Sequence, residues 1–477
     1  MDLLRMPVRS YILIFLALAA VSCEKPVTHD IAGLGFSADT IFFDTVFTSV
    51  GSATRELVVK NYGRSDIEIS RIFLAGGQAS PFRLNIDGEA TVSASDILLS
   101  GRDSMFIFVD VIIDPLNTTS PVLTLDSVIF EVDGRIRSVV LMAWGQDVIL
   151  LDNSVIKTEV WISGKPYLIY GKVKVDTAEI LTVEKGTRVY FHRNSSMYVA
   201  GSLKVTGTEE EPVVFASDRT EKIYEDIPGQ WQGIFIAGIS KGNSMSNAIV
   251  RNSTYGIRLG EPESAGLNGI PDLKLKNIRI IHSGVTGLAA YYANVEAENS
   301  VFSHCGFNCV SLSSGGDYRF YHCTFQNTWE YGLRLTPALL VDERPSGAGT
   351  PAGSINLLLF NSVVTGDLNT EIEVSSNSSV PSGSYFFDHC LVKMDTSKAS
   401  VWKKDKFPGT GVNLNPRFID AVAFDFRPDT LSPLADRGSN LLINTFPSDI
   451  RGYSRLTDGL PDIGAYERRP GEKRKLN

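Results

Sequence analysis

A short phrase recurs between residues 248 and 392, and it restricts the possible folds of this chain more than any other feature. Each copy is an apolar, strand-like run that ends in Asn or His and is followed by Ser or Cys. The copies end at Asn252-Ser253, His282-Ser283, His304-Cys305, His322-Cys323, Asn361-Ser362 and His389-Cys390. Their Asn/His positions are 30, 22, 18, 39 and 28 residues apart. A constant strand phrase with variable insertions predicts a solenoid of stacked coils whose loops differ in length.

The Asn and His positions are interpreted as one column of turn residues, stacked coil upon coil. Stacking brings equivalent residues to about 4.8 Å, so polar side chains at equivalent turns can form a hydrogen-bonded ladder. The Ser or Cys that follows would form a second column. A third column of small residues is expected at Gly256, Gly287, Cys309 and Gly332.

The same stretch holds residue types that bind zinc, namely His304, Cys305, Cys309, His322 and Cys323. Asn and Ser replace His and Cys in other copies of the phrase, and this exchange fits a turn ladder better than a metal cluster. We therefore predict no metal and no cofactor. Cys305 and Cys323 are one short coil apart, which leaves a disulfide open, although buried free thiols are favoured.

The coils that precede this stretch carry two phrases of a known family. Leu181-Thr182-Val183-Glu184-Lys185-Gly186-Thr187 is followed downstream by Trp231-Gln232-Gly233-Ile234. This wording resembles the opening coils of right-handed parallel β-helix proteins of the pectin-lyase-like superfamily. The resemblance implies a β-helix over residues 153–467. The lack of crossover-length helical patterns between these strands also disfavours a doubly wound α/β sheet.

Residues 31–150 alternate like half-buried strands and are separated by turn signals such as Asp87-Gly88 and Asp133-Gly134. About seven short strands without a helical pattern predict a β-sandwich. The turn Asn61-Tyr62-Gly63 and the closing Trp144-Gly145-Gln146 resemble the immunoglobulin-like domains of the ASPM, SPD-2 and Hydin type. Such domains act as spacers or protein-contact modules, so no catalysis is expected here.

The first 22 residues have the pattern of a bacterial lipoprotein signal peptide. Arg5 and Arg9 precede an apolar run that is too short to span a bilayer as a helix, and the run ends Ala20-Val21-Ser22-Cys23. This ending resembles a lipobox, which implies cleavage before Cys23 and lipidation of its thiol. Acyl chains on Cys23 would hold the protein on a membrane, with residues 23–30 as a tether. The alternative is an ordinary secretory signal.

The closing sequence, from about residue 413, contains Asn415-Pro416-Arg417-Phe418, Ser432-Pro433-Leu434 and Pro461-Asp462-Ile463-Gly464-Ala465-Tyr466-Glu467. It resembles the C-terminal coils of surface β-helix proteins from the Bacteroidota-type outer envelope. We predict that it caps the solenoid, because a solenoid end exposes apolar coil and sheet edges. Residues 468–477 form a basic tail.

No catalytic phrase of the β-helix lyases or glycosidases is present, and the catalytic residues are therefore unknown. Scattered acids and bases could still meet in space, and they are interpreted as solvated outer-face residues: Asp317, Glu330, Glu371, Glu373, Arg258, Lys274, Lys276 and Arg334. A polysaccharide lyase would need clustered carboxylates, and only that alternative would imply calcium. The sequence favours a protein without catalytic activity.

Aromatic residues could stack on sugars if they are exposed, and the candidates are Tyr291, Tyr292, Tyr318, Tyr321, Trp329, Tyr331 and Trp402. The formal charge of −9 argues against nucleic acid as a partner. We therefore predict an all-β surface lipoprotein of the bacterial outer membrane whose β-helix binds glycan or another surface protein. The alternatives are a polysaccharide lyase or glycoside hydrolase and a structural envelope scaffold.

Overall fold

The computed structural model describes residues 27–28, 30–345, 349–375, 383–397, 403–457 and 459–472. It divides the chain into two compact units, Met1–Asp147 and Val148–Asn477. The described residues contain strands and short 3-10 turns and no α-helix. The predicted all-β class is thus confirmed. Cys23, the leader, Trp402 and residues 473–477 of the basic tail lie outside the described residues.

The first unit is a β-sandwich of two sheets. One sheet contains Val27–Thr28, Asp66–Leu74, Ser93–Leu99, Val122–Val132, Arg135–Gln146 and Thr40–Phe47. The other contains Leu34–Phe36, Arg55–Asn61, Ser104–Val111, Phe82–Ile86 and Glu89–Thr91. Short 3-10 turns lie at Ile31–Gly33 and Gly77–Ala79. Alternate apolar residues of both sheets, such as Leu57, Ile107 and Val128, are fully buried between them, which is the burial pattern that the sequence alternation predicts.

The second unit is built on a parallel β-helix, of which the described residues form 25 strands. In chain order the strands are Ile149–Asp152, Val155–Ile156, Glu159–Trp161, Tyr167–Tyr170, Lys172–Val175, Ile180–Glu184, Arg188–Phe191, Ser196–Val199, Ser202–Thr206, Val213–Ser217, Gly233–Ile236, Asn243–Arg251, Tyr255–Leu259, Asp272–Ser283, Thr286–Glu298, Val301–Cys305, Val310–Tyr321, Thr324–Asn327, Leu339–Asp342, Ile355–Phe360, Val363–Gly366, Ile372–Ser375, Tyr385–Asp388, Leu391–Val392 and Gly411–Val412. Short 3-10 turns lie at Lys222–Tyr224, Pro262–Ser264 and Lys404–Lys406. The first strand begins at Ile149, slightly before the predicted start at residue 153.

Each coil has three flat faces, which we number 1, 2 and 3 in chain order. In one coil they are Arg188–Phe191, Ser196–Val199 and Ser202–Thr206. Each face pairs in parallel with the same face of the neighbouring coils. A long strand such as Asp272–Ser283 runs from face 3 of one coil into face 1 of the next.

The core of the β-helix consists of inward side chains stacked in register. One inward column of face 2 runs through Val173, Met197, Ile234, Ile257, Leu288, Val310, Leu339 and Ile372. Aromatic rings stack inside as well, as in Phe302 on Phe325, 5.3 Å apart. Phe407 stacks on Phe387 at 4.7 Å and covers the last coil. Like-on-like burial of this kind supplies the main stabilisation of a solenoid.

Residues 413–472, the closing segment, turn back along the coils. Its only described strands, Phe418–Asp420 and Asp425–Pro428, form a small antiparallel pair. Phe418, Phe426 and Ile463 pack on outward residues of face 1, including Val301 and Val363. The sequence predicts that this segment covers the end of the solenoid, whereas the structure places these contacts on its flank.

Interpreting the repeated phrase as one ladder is wrong, because the copies occupy two different corners of the coil. Asn252, His282 and His304 lie between faces 1 and 2, which we call corner 1-2. His322, Asn361 and His389 lie between face 3 and the next face 1, which we call corner 3-1. The 18-residue spacing between His304 and His322 is therefore the path from one corner to the other within one coil, and the two histidines do not stack.

Candidate functional site

The three outer faces of the β-helix differ in what they offer to a ligand. The closing segment covers much of face 1. Face 3 presents charges of alternating sign, with Lys274, Glu296 and Arg319 in one column. Beside that column, Lys276 and Glu298 form an ion pair at 2.6 Å. Such a surface is typical of a solvated face. Face 2 carries aromatic rings instead.

An aromatic strip runs along the outer surface of face 2. Strand register places Tyr198, Phe235 and Arg258 in successive coils of one outward column. The Lys172 ammonium lies 4.3 Å from the centre of the Tyr198 ring, and the Arg258 guanidinium lies 4.5 Å from that of Phe235. These side chains point outward because inward and outward residues alternate along a strand. We call this set the face 2 strip.

The rim of the strip is fixed by hydrogen bonds. The Tyr198 hydroxyl donates to Glu261 Oε1 at 3.0 Å, and the Gly238 backbone N–H donates to Glu261 Oε2 at 3.0 Å. Glu261 thereby ties the insertion after face 2 to the strip. Burial, assisted by the nearby Glu261 carboxylate, raises the pKa of Tyr198, so its hydroxyl stays protonated and can act as a donor.

Two further tyrosines extend the aromatic surface. The ring of Tyr255 meets that of Phe235 edge to face at 6.4 Å. Tyr291 is half-buried, and burial raises the pKa of its hydroxyl. Flat rings with a polar edge, flanked by cations, suit a ligand that has both apolar faces and hydroxyl groups.

The aromatic residues predicted from the sequence to stack on sugars lie in different environments. Tyr318 is fully buried, and its hydroxyl donates to the Gly315 carbonyl at 2.9 Å. Tyr321 stacks on Phe446 of the closing segment at 4.6 Å. Trp329 and Tyr331 contact each other edge to face in the loop of residues 328–338. Of the predicted aromatics, Tyr291 lies beside the face 2 strip. Tyr198, Phe235 and Tyr255 were missed, although the strand alternation of the early coils marks Tyr198 and Phe235 as outward.

The predicted acids and bases do not form one site. Arg334 and Glu371 were expected on the solvated outer face, and this expectation is wrong. They form a buried bidentate ion pair at 2.6 and 2.8 Å. Arg258 belongs to the face 2 strip, while Lys274 and Lys276 lie on face 3. Asp317 accepts a hydrogen bond from Asn356, Glu330 is exposed in the 328–338 loop, and Glu373 lies on the outer side of face 2.

The His and Cys set is split between corners. All four described cysteines are free and buried, and burial raises the pKa of Cys323 to about 12. Cys305 follows corner 1-2, whereas Cys323 follows corner 3-1, so they are not stacked neighbours. No group of three or more His, Cys, Asp or Glu in the described ranges is arranged to hold a metal ion. The column with Gly256, Gly287 and Cys309 continues at Ala338, and the predicted Gly332 lies in an exposed loop.

One acid–base pair was not foreseen. His192 Nδ1 lies 2.7 Å from Asp218 Oδ2, and the His192 ring stacks on Tyr170 at 4.2 Å. The Asp218 side chain is 10% exposed and that of His192 is 45% exposed. Burial raises the pKa of Asp218. Each residue of the pair directly follows a face 1 strand, so both lie at corner 1-2 in neighbouring coils. They are 26 positions apart in the sequence, and only the stacking of the coils brings them together.

Comparisons with known proteins found two family matches in the second unit and a weak structural similarity. Residues 154–285 match the family described as a pectate-lyase like beta helix domain, and residues 232–393 match the right handed beta helix region family. No curated protein matches the chain. A similar solved structure is an ASH / PapD-like domain of human CEP192 (PapD-like domain 7), with 13% identity and a TM-score of 0.17. That match covers 24% of this chain and 85% of that chain.

The strand topology and the family matches show that the second unit is a right-handed parallel β-helix, and its first coils are similar to a pectate-lyase-like domain. The parallel β-helix predicted from the phrases near Thr182 and Trp231 is therefore confirmed, and so is the sandwich that precedes it in the chain. None of the helical segments in the described part of the chain has the length and hydropathy of a membrane span. The lipid anchor on Cys23 stays a prediction.

Proposed function

We propose that this chain is an envelope surface lipoprotein whose β-helix binds a glycan along the face 2 strip. The observation that carries the proposal is the outward column of Tyr198, Phe235 and Arg258, with Lys172 and Arg258 held over the rings. Pyranose rings have apolar faces that stack on aromatic rings and hydroxyl groups that accept hydrogen bonds from cationic side chains.

The shape of face 2 supports a chain-like ligand. Its strands repeat at about 4.8 Å, so equivalent side chains form a linear row along the solenoid. The insertions after face 1 (residues 219–232) and after face 2 (residues 260–271) stand beside this row. Tyr198 and Glu261 fix the second insertion to it. A linear surface between two rims suits a polysaccharide better than a compact metabolite.

Localisation and partners are part of the same proposal. Lipidation of Cys23 would fix the protein to the outer membrane, and the β-sandwich would act as a spacer or contact module. In this scheme no nucleic acid and no cofactor takes part. A surface protein is the other class of ligand that face 2 would accept through its rings.

A polysaccharide panel, tested with and without calcium, examines the proposal directly. We expect binding without shortening of the glycan. Tyr198→Ala and Phe235→Ala should each weaken binding about three- to tenfold, because each removes one stacking surface. Tyr190→Ala, which removes a tyrosine from the outer side of face 1, is the matched control. Binding that is equally strong in all three variants would contradict the role of face 2.

The second candidate function is a polysaccharide lyase or hydrolase, with calcium only in the lyase case. It is favoured by the pectate-lyase-like family match and by the partly exposed His192 beside Asp218. Release of shorter or unsaturated products from the same panel would establish an enzyme. Absence of both binding and products, together with an assembly defect on deletion, would favour a structural scaffold.

A further inference from the structure

A cavity of about 620 Å³ lies between the last coils and the start of the closing segment. One wall is an outward column of face 1, formed by Gln326, Thr365 and Lys393 in successive coils. The other wall is the run from Asn413 to Val422. The cavity belongs to face 1, and the face 2 strip contributes nothing to it.

The coil wall presents polar side chains to the cavity. Thr365 and Gln326 line this wall and are only 5% and 7% exposed. The Gln326 amide nitrogen donates to the Thr328 hydroxyl at 2.8 Å, which leaves its amide oxygen to face the cavity as an acceptor. Lys393 Nζ donates to the Gly366 carbonyl at 2.8 Å and keeps two further N–H groups.

The closing segment completes the lining. Asn415 Oδ1 accepts from the Arg417 backbone N–H at 2.9 Å, which leaves the Asn415 NH₂ group available. Phe418 and Ile419 are buried and give this wall an apolar floor. The cavity therefore combines donors, acceptors and an apolar patch within one volume.

The charges decide which polar ligand fits. Lys393 and Arg417 are the cations of the lining and Asp420 is its anion, while Asp429 lies 3.5 Å from Arg417. The local charges therefore balance, so the cavity attracts neither anions nor cations strongly. A neutral polyhydroxylated ligand matches mixed donors and acceptors, and the volume lies within the usual range for small-molecule sites, roughly 300 to 1,000 Å³.

We infer that this cavity is a second saccharide site, which takes a neutral mono- or disaccharide unit and is separate from face 2. Vicinal hydroxyl groups would bridge the stacked Gln326, Thr365 and Lys393. One polysaccharide could then be held at two places, which would raise its overall affinity by effective concentration.

Saturation-transfer NMR and calorimetry on the full chain test the inference with a fixed panel. The panel contains glucose, galactose, mannose, N-acetylglucosamine and their β-linked disaccharides, with galacturonic and glucuronic acid as charged counterparts. We expect a neutral sugar to bind. Thr365→Val should reduce its affinity roughly fivefold or more by removing one hydrogen bond, and Gln326→Leu should do the same.

Two control variants distinguish this cavity from nonspecific sugar binding and from the face 2 strip. Thr182→Val, a matched substitution on the outer side of face 3, should leave saccharide binding unchanged. Thr365→Val introduced into the Tyr198→Ala background should still reduce neutral-sugar binding by the same factor, because the cavity and the face 2 strip share no residue. The inference is overturned if no neutral sugar binds, if only the uronic acids bind, if the effect of Thr365→Val disappears in the Tyr198→Ala background, or if Thr365→Val and Gln326→Leu bind as well as the unchanged chain.

Discussion

His282 and His304 stand at corner 1-2, where the backbone turns through the left-handed region with φ of 53° and 52°. Asn and His tolerate this conformation better than most side chains. Both rings are nearly fully buried against Phe424 of the closing segment, which meets them at 4.6 and 4.3 Å. The Nδ1 atoms of both rings have no hydrogen-bond partner. These histidines are therefore packing residues that must stay neutral.

The neutral state of the two imidazoles makes the stability of the β-helix depend on pH. Burial lowers the pKa of His282 to about 4 and that of His304 to about 3. Asp226 opposes the shift at His282, whereas Arg251 adds to it. In an unfolded chain the pKa is about 6.5, so the unfolded state binds more protons between these values. The stabilisation is complete above about pH 6.5 and is lost as the pH falls toward the folded values.

We therefore expect His282→Asn/His304→Asn to lose less stability on acidification than the unchanged chain, by up to several kcal/mol. Asn is the residue that corner 1-2 already carries at Asn252. Urea unfolding of the β-helix at about pH 7 and about pH 4.5 measures the difference. His389→Asn, at a more exposed corner position, is the control, and it should lose as much stability on acidification as the unchanged chain. Equal acid sensitivity of all three proteins would contradict the prediction.

At the scale of elements, the loop of residues 328–338 shows how an insertion is held on the solenoid. Arg334 pairs with Glu371 through two hydrogen bonds and donates to the carbonyls of Thr336 and Asn327. Glu371 also accepts from the Ala338 backbone N–H. The side chains of both ionic partners are almost completely buried. The ion pair fixes the loop, whereas the sequence shows only two isolated charges 37 residues apart.

Glu371→Gln should destabilise the β-helix by about 3 to 5 kcal/mol, because it leaves the Arg334 guanidinium buried without a counter-charge. The loop should also become sensitive to protease. Asp342→Asn, which breaks the exposed pair with Arg344, is the matched control and should cost about 1 kcal/mol or less. Urea unfolding and limited proteolysis measure both effects. Similar losses in the two variants would show that the buried pair has no special role.

The closing segment is the other element with an unexpected role. Arg455 is fully buried, pairs with Glu467 at 3.1 Å, and donates to Asn299 Oδ1 at 2.9 Å. Ser439 and Asn361 exchange hydrogen bonds across corner 3-1. These contacts lie at corner 3-1, and Phe424 packs on His282 and His304 at corner 1-2, so the segment attaches to both corners that border face 1. The Arg455–Glu467 pair and these hydrogen bonds hold the segment against the coils.

At the scale of the whole molecule, the proposed envelope function requires that the β-helix be attached to a membrane. The proposal places it on the outer membrane through a lipid on Cys23. We expect Cys23→Ser to move the protein from the membrane fraction to the soluble fraction, because acyl chains supply the attachment. Fractionation and metabolic labelling with a fatty acid measure the change, with Cys390→Ser as a control. Unchanged fractionation and labelling would refute the anchor.

The strand alternation, the turn signals and the repeated Asn/His phrase determined the all-β class, the two-unit order and the solenoid. These follow from local backbone preferences, which a sequence displays directly. The register between coils cannot be inferred from the sequence, because both corners require a residue in the left-handed conformation followed by a small residue. The residues of corner 1-2 and those of corner 3-1 therefore appear in the sequence as a single ladder.

The tertiary structure alone decided the candidate sites. Tyr198, Phe235 and Arg258 come together because coils of unequal length bring distant residues into one column, and unequal insertions hide that column in the sequence. The buried Arg334–Glu371 pair and the flank position of the closing segment depend in the same way on long-range packing. Local preference determined which residues turn and which extend, and coil stacking decided which of them meet.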